Sequence, residues 1–144
     1  MSAENKARMP GEFLIGCNGR GAQASSSEHP VSLQELSIDE QFRLVRETGV
    51  FDYFDRIPLR NDIDEYRTAI EKYDLPIHTI SWFYRLGEDE ALLSDNLKIG
   101  AEIGADMHNI MIFTNHANGH VVTDQEIVDC YLSVYDEGMK VGVE

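Results

Sequence analysis

Short apolar segments alternate with amphipathic segments along the chain, and this pair recurs four times before a fifth apolar segment begins. The apolar segments lie at residues 13–17, 51–57, 77–83, 107–113 and 138–144. Apolar residues in the amphipathic segments return every three to four positions, which is the spacing of a helix with one buried face. Because each crossover helix returns the chain to start a parallel neighbour, this order predicts a parallel β-sheet covered by helices.

The length of one strand–helix unit, roughly 30 residues, is that of the (β/α)₈ TIM barrel, which needs about 250 residues in all. The chain has 144 residues. We therefore expect an α/β chain of the (β/α)₈ TIM-barrel type, with about four βα units and the start of strand five. Residues 1–12 are polar and are expected to form a flexible N-terminus, whereas residues 13–144 are expected to form the N-terminal half of a barrel.

Two capping boxes mark helix starts, one formed by Ser37 with Glu40 and one by Thr123 with Glu126. The loops that leave the strands are longer than those that leave the helices. In a barrel, these longer loops at the carboxyl ends of the strands form the active face. We therefore expect the functional residues directly after the strand ends, which lie at these positions: Cys17, Asp55, Ser81, Phe113 and Val143.

The composition limits the class of partner. The chain carries 26 acidic and 12 basic residues, a net charge of −14. Phosphate contacts need clustered Lys and Arg, so this charge argues against nucleic acid or an anionic membrane as the partner. No apolar run approaches the roughly 18 residues of a membrane span, and the first residues lack the apolar core of a secretory signal. Two widely spaced cysteines, Cys17 and Cys130, fit a reducing cytoplasm better than a disulfide framework.

The first two strand ends offer polar candidates for substrate binding. Asn18 and Arg20 belong to the run Asn-Gly-Arg-Gly, where the backbone and the guanidinium could hold an anion; a plain turn with an exposed Arg is the alternative. Asp55 and Arg56 are adjacent on an extended chain, so their side chains point to opposite sides and at most one of them faces the mouth of the barrel. Asp55 could orient a hydroxylated substrate or form a structural ion pair.

The third and fourth strand ends add an aromatic residue and a histidine. Trp82 is the sole tryptophan, and its ring could form a wall against the apolar face of a sugar, although buried strands also contain aromatic residues. His116 lies nearest the end of the fourth strand and could contact substrate. Asn118 and Gly119 break any helix between His116 and His120, so the helical geometry of a zinc-binding pair is missing.

The last segment ends in a carboxylate. Glu144 follows a helix-ending glycine and a β-branched alternation, at the tip of a predicted strand. A glutamate at the carboxyl end of a barrel strand is well placed to bind a divalent metal or to act as a proton-transfer base. The alternative is a surface glutamate.

These residues resemble the xylose isomerase-like TIM barrels, a group of sugar and sugar-phosphate isomerases and epimerases. In that group, the segment before strand five typically reads Gly-Val-x-Leu-x-Leu-Glu. Matching positions here are Gly138, Val141, Val143 and Glu144, and looser matches are Ile15 to Asn18, Glu47, Gly49, Phe54 and Asp55.

The resemblance implies a metal-dependent isomerase or epimerase that moves a proton next to a carbonyl. It implies one divalent metal, Mn²⁺ or Mg²⁺ rather than Zn²⁺, with Glu144 as first metal ligand and as one of two catalytic glutamates. A hard cation of this kind polarises a carbonyl and acidifies the neighbouring C–H. The other ligands that the resemblance implies belong to strands beyond this sequence, so we expect the chain to be inactive without them.

Other functions remain open. A related metal-dependent dehydratase of a polyol or hydroxy acid would use the same groups. Abasic-site endonucleases share the fold, but they need histidines after strands two and three, where this chain has Asp55 and Ser81, and its charge does not suit DNA. A non-catalytic half barrel would expose two sheet edges and self-associate. The expected partners are therefore a small sugar or polyol substrate and either a second copy or the remainder of the barrel.

Overall fold

A computed structural model describes residues 13–19, 23–24, 31–135 and 142–143; the predicted N-terminal segment 1–12 lies outside this part of the chain. The elements, in chain order, are β1 Gly16–Asn18, β2 Gln23–Ala24, β3 Val31–Ser32, α1 Ile38–Glu47, β4 Tyr53–Asp55, α2 Ile63–Tyr73, β5 Thr79–Tyr84, α3 Glu90–Ile103, β6 Met107–Ile112, α4 Asp124–Ser133 and β7 Gly142–Val143. Short 3₁₀ turns at Leu33–Glu35 and Arg60–Asp62 precede α1 and α2.

The strands that alternate with helices run parallel and follow chain order in space. β1 pairs with β4, and β5 pairs with β6, which in turn pairs with β7. The Phe54 amide donates a hydrogen bond to the Pro76 carbonyl (2.9 Å), which places β4 next to the segment that leads into β5. The short strands β2 and β3 form a separate antiparallel hairpin within the loop after β1. The predicted βα order of a partial barrel is confirmed.

One face of the sheet is buried under the helices. Phe54 of β4 packs edge-to-face against Phe42 of α1, with ring centroids 5.0 Å apart, and Phe42 packs in the same way against Tyr66 of α2 at 5.8 Å. Ile80 and Tyr84 of β5 are also fully buried. Because successive side chains of a strand alternate between faces, the intervening residues point to the opposite face, the interior of the barrel.

The start of the first strand differs from the prediction. Residues 13–17 were expected to form a strand buried on both faces, but β1 begins at Gly16, and Phe13 is 91% exposed. Leu14 and Ile15 are also exposed. In the described part of the chain, β1 pairs only with β4, so nothing covers its other edge. The apolar run therefore marks a surface that a further element of a barrel would cover.

The two predicted capping boxes differ in completeness. Thr123 accepts a hydrogen bond from the Glu126 amide, and the Glu126 carboxylate accepts one from the Thr123 amide, so both halves are present. Ser37 accepts a bond from the Glu40 amide, but the Glu40 carboxylate pairs with Arg43. The sequence motif correctly predicted both helix starts. In the first box, the ion pair with Arg43 replaces the hydrogen bond from the Ser37 amide to the Glu40 carboxylate.

Cys17 and Cys130 are buried free thiols, and burial raises the pKa of each. They are therefore not joined by a disulfide. Among the described helices, none has the length and apolarity that crossing a membrane requires.

A buried histidine connects the sheet to α3. His108 has no exposed surface, its Nε2 lies 3.0 Å from the Tyr84 hydroxyl, and that hydroxyl accepts a hydrogen bond from Asn96 of α3 (2.9 Å). Burial lowers the pKa of His108 from 6.5 to about 4. These contacts give His108 a structural role between the sheet and α3.

We expect His108 to make the fold sensitive to mild acid. Between pH 6.5 and 4, the unfolded chain binds a proton at this ring and the folded chain does not, so stability is full above pH 6.5 and falls as the pH drops. The pKa difference corresponds to about 3 kcal/mol. Urea unfolding at several pH values should show this loss of stability. In His108→Gln, most of the pH dependence of the unfolding free energy should disappear. The matched variant His116→Gln, in an exposed loop, should keep the loss; equal pH profiles for the two variants would contradict this assignment.

Candidate functional site

Four polar side chains lie in a row across the interior face, two at the carboxyl ends of the short strands β1 and β4 and two in the middle of β5 and β6. Asn18 of β1 is in register with Asp55 of β4, and Ser81 of β5 is in register with Asn109 of β6. The Ser81 hydroxyl donates a hydrogen bond to the Asp55 carboxylate (3.2 Å) and joins the two halves of the row. We call these four residues the polar row. Asp55, Ser81 and Asn109 are half-buried, and Asn18 is exposed.

A small cavity opens beside the polar row. It has a volume of about 10 Å³ and is lined by Asn18, Asp55, Arg56, Ile57 and Ser81. This volume is close to that of one water-sized group. A carboxylate, an amide and a hydroxyl around so small a space can accept and donate hydrogen bonds to one hydroxyl of a ligand.

Asp55 and its neighbour Arg56 separate as their adjacency predicted. Asp55 faces the interior, where it contacts Ser81. Arg56 points to the helix layer, where its Nε donates a hydrogen bond to the Tyr66 hydroxyl (3.3 Å). Burial is the main cause that raises the pKa of Tyr66. Asp55 is the residue in register with Asn18, although Arg56 also contributes to the wall of the small cavity.

Two aromatic rings lie above the polar row, toward the mouth of the barrel. Phe83 and Phe113 stack with their centroids 5.6 Å apart and remain 45% and 42% exposed. The Arg85 guanidinium lies 4.9 Å from the centre of the Phe113 ring and donates to the Asn115 carbonyl. Two exposed rings above hydrogen-bonding groups form a surface on which the apolar face of a sugar can pack.

Trp82 lies on the other side of its strand. It alternates with Ser81 and Phe83, and it packs with the buried core that includes Tyr84. Its ring lines a crevice of about 720 Å³ between the N-terminal ends of α1 and α2. Phe83, rather than Trp82, faces the interior, and a role of Trp82 as a substrate wall at the mouth of the barrel stays a prediction.

His116 lies in a tight loop between β6 and α4. Its ring stacks on His120 (4.6 Å between centroids) and lies against Gly87, where a Cβ atom would collide with it. His120 Nε2 lies 2.7 Å from the Glu126 carboxylate. Hydrogen bonds from Thr123 and His120 lower the pKa of Glu126 to about 2. These contacts order the loop; whether His116 touches a substrate stays a prediction.

Arg20 and Glu144 lie outside the described residues, so their predicted roles remain predictions. Within the described ranges, no three His, Cys, Asp or Glu side chains converge to hold a metal ion. Asp55 alone of the predicted site residues offers a carboxylate there. The residues that the structure describes therefore do not by themselves fit the divalent metal that the resemblance implies.

Sequence reasoning missed Ser81, Asn109 and Phe83 as interior residues. The signal was present in part: Asn109 is a polar residue in the middle of an apolar strand, and Ser81 and Phe83 flank Trp82. Whether these side chains face the interior depends on which alternate positions of each strand pack against the helices. The sequence alone does not fix this, because it requires the register of the sheet.

Neither a protein-family model nor a curated protein sequence matches the chain. Solved structures do. One is 3-keto-D-glucoside 4-epimerase from E. coli in its apo form, at 19% identity and a TM-score of 0.63, with 92% of this chain and 55% of that protein covered. Another is a xylose isomerase-like TIM barrel protein from Mycobacterium smegmatis in complex with magnesium, at 18% identity and a TM-score of 0.50, with 90% and 53% covered.

The chain thus spans about half the length of both solved proteins. At this level of identity the match concerns the fold, and it confirms the resemblance that the sequence motifs suggested. The parallel sets β1–β4 and β5–β6–β7, which the hydrogen bond from Phe54 to Pro76 brings side by side, agree with it. The chain therefore has the fold of a partial (β/α)₈ TIM barrel.

Proposed function

We propose that the chain forms part of a sugar isomerase or epimerase that transfers a proton next to a carbonyl. The observation that carries this proposal is the polar row, in which Asn18, Asp55 and Ser81 surround space for one ligand hydroxyl. It includes the carboxyl ends of the parallel strands β1 and β4, and barrel enzymes bind their substrates at the carboxyl ends of strands. A fold shared with a sugar epimerase supports the same class of reaction.

Glu144 would supply the proton-transfer base. β7 pairs with β6 so that Gly142 is opposite Met107 and Val143 is opposite His108. His108 faces the helices, so the next position along β6, Asn109, faces the interior. Glu144 follows β7 directly in the sequence, and we propose that its carboxylate acts together with the polar row. A carboxylate in that role could remove the proton on the carbon beside a carbonyl, while Asp55 and Asn18 hold the neighbouring hydroxyls.

We also propose that a divalent metal, Mn²⁺ or Mg²⁺, is used. The magnesium complex of a protein with this fold supports the proposal. When bound, such a cation would polarise the carbonyl and its adjacent hydroxyl. Glu144 would be one ligand, and the remaining ligands would come from outside the described residues. The described residues would orient the sugar and keep water from one of its faces.

The interior face needs a partner to close the barrel. Phe13, Leu14 and Ile15 expose apolar surface at the open edge of β1, and Phe83 and Phe113 expose it inside. We propose that further barrel strands cover these surfaces, either from the same polypeptide or from a second copy. A self-associating half barrel without catalysis is the second candidate, and this exposed apolar surface favours it. The two free thiols favour a reducing cytoplasm as the location.

Asp55→Asn tests the substrate-binding part of the proposal. The substitution keeps the shape of the side chain but removes the charge that strengthens a hydrogen bond to a sugar hydroxyl. A hydrogen bond to a charged group contributes about 1.5–3 kcal/mol, so KM should rise by about ten- to a hundredfold. Steady-state kinetics on a panel of keto and aldo sugars would measure it. Asp64→Asn, on the exposed side of α2, is the matched control. An unchanged KM in Asp55→Asn would remove the polar row from the substrate site.

A further inference from the structure

The crevice between α1 and α2 lies outside the barrel interior and has its own set of polar groups. Its volume is about 720 Å³, within the range of small-molecule sites. Residues of the α1 end, the strand ends and α2 line it, and those used below are Gln41, Arg56, Asp62, Glu65, Tyr66 and Trp82.

The charges of the crevice favour a neutral ligand. One guanidinium, from Arg56, faces two carboxylates, from Asp62 and Glu65. A phosphate or carboxylate ligand would meet more negative than positive charge there. A hydroxyl group can donate to a carboxylate and accept from a guanidinium, so a polyhydroxylated ligand suits both kinds of group.

A buried amide oxygen adds an independent indication. Gln41 is 3% exposed, and its Nε2 donates to the Leu36 carbonyl at 2.8 Å. Its Oε1 has no hydrogen-bond partner in the part of the chain that the structure describes. A buried acceptor without a donor is costly, and Gln41 belongs to the crevice wall, so a rotation of its amide toward a ligand hydroxyl would offset this cost.

The aromatic side chains complete a carbohydrate-binding pattern. Trp82, which is half-buried, lines the same crevice as the polar groups, whereas Tyr66 is 3% exposed and packs its ring on Phe42. The ring faces of a sugar carry C–H groups that pack on aromatic surfaces while its hydroxyls bond to polar neighbours at the rim. The crevice shares the walls Arg56 and Ile57 with the small cavity at the polar row.

We propose that this crevice is a carbohydrate-binding subsite that takes a neutral sugar ring, next to the polar row and separate from it. The shared walls at Arg56 and Ile57 place a ligand in the crevice next to the strand end that carries Asp55. The subsite extends the proposed function, but ligand binding in it does not require turnover, so it can fail or hold independently of the isomerisation.

The chain itself provides the probe, because Trp82 is the sole tryptophan. A fluorescence titration of the full-length protein with cellobiose should give a saturable change in tryptophan emission. Arg56→Gln should weaken the apparent affinity by about tenfold, the effect of losing one charge-assisted hydrogen bond of about 1.4 kcal/mol. Glu65→Gln, at an exposed position, should weaken binding without endangering the core. Arg67→Gln is the control, since Arg67 bonds Asp64 and the Glu102 carbonyl instead.

Three results would overturn the proposal. The first is the absence of a saturable emission change with cellobiose. The second is an unchanged affinity in both Arg56→Gln and Glu65→Gln. The third is tighter binding of glucose 6-phosphate than of cellobiose, because it would contradict the argument from charge. Sugar interconversion is measured on the same samples, so a failure of cellobiose binding can be distinguished from a failure of the proposed isomerisation.

Discussion

Glu144→Gln is expected to lower kcat for sugar interconversion by about 10³-fold. General acid–base catalysis by one positioned side chain contributes about 10²–10⁴-fold, and the glutamine cannot accept the proton. Glu144 directly follows β7, the strand that pairs with β6, and it is the base of the proposed reaction. The loss should fall on kcat more than on KM, because the carboxylate acts on the reacting C–H group rather than on the hydroxyls that anchor the sugar.

Steady-state kinetics on the protein that contains the complete barrel would measure this effect. Glu71→Gln is the matched control, since Glu71 lies exposed on α2, away from the interior. Circular dichroism should give the same spectrum for both variants. A Glu144→Gln protein that keeps most of its kcat would show that another group moves the proton.

Phe54→Ala is expected to destabilise the fold by about 3–5 kcal/mol, the usual cost of removing a buried phenyl ring. Phe54 is fully buried and packs edge-to-face on Phe42, which in turn packs on Tyr66. These three rings join β4 to α1 and α2, so the cavity would weaken one strand and two helices together. Domains of ordinary stability have about 5–15 kcal/mol in all, so the variant should be close to unfolding.

Urea unfolding followed by circular dichroism would measure this loss. Phe113→Ala removes the same ring from a site that is 42% exposed, so it should cost about 1 kcal/mol or less. Equal losses for the two variants would contradict the placement of Phe54 in the core and of Phe113 at the open mouth.

The order of elements could be predicted from the sequence because each helix and strand carries its own periodicity. The N-terminal boundary of β1 could not, because residues 13–15 have the composition of a buried strand and yet lie exposed. Burial there depends on a neighbouring strand, and no local pattern reveals whether one is present. In α1, likewise, the choice of Glu40 between the Ser37 amide and Arg43 depends on side-chain geometry that the capping motif does not contain.

The candidate site was predictable only where a local rule applied. The adjacency of Asp55 and Arg56 was enough to separate their directions, and the structure confirms it. Trp82 was selected because it is the sole tryptophan. However, the residues on the interior side of β5 are Ser81 and Phe83, and the sequence alone does not reveal which side of the strand faces the interior. Asn109 lies 28 residues after Ser81 in the sequence. The two residues become neighbours only because β6 pairs with β5 in this register.

The central claim is that this face of the barrel supports proton transfer beside a sugar carbonyl. The most direct measurement is NMR of keto sugars and 3-keto-glucosides incubated in D₂O with the complete protein. The account predicts that deuterium enters at the carbon next to the carbonyl, that Glu144→Gln abolishes this exchange and that Asp55→Asn slows it. Exchange that continues unchanged in Glu144→Gln, or interconversion of the sugars without any exchange, would contradict the account.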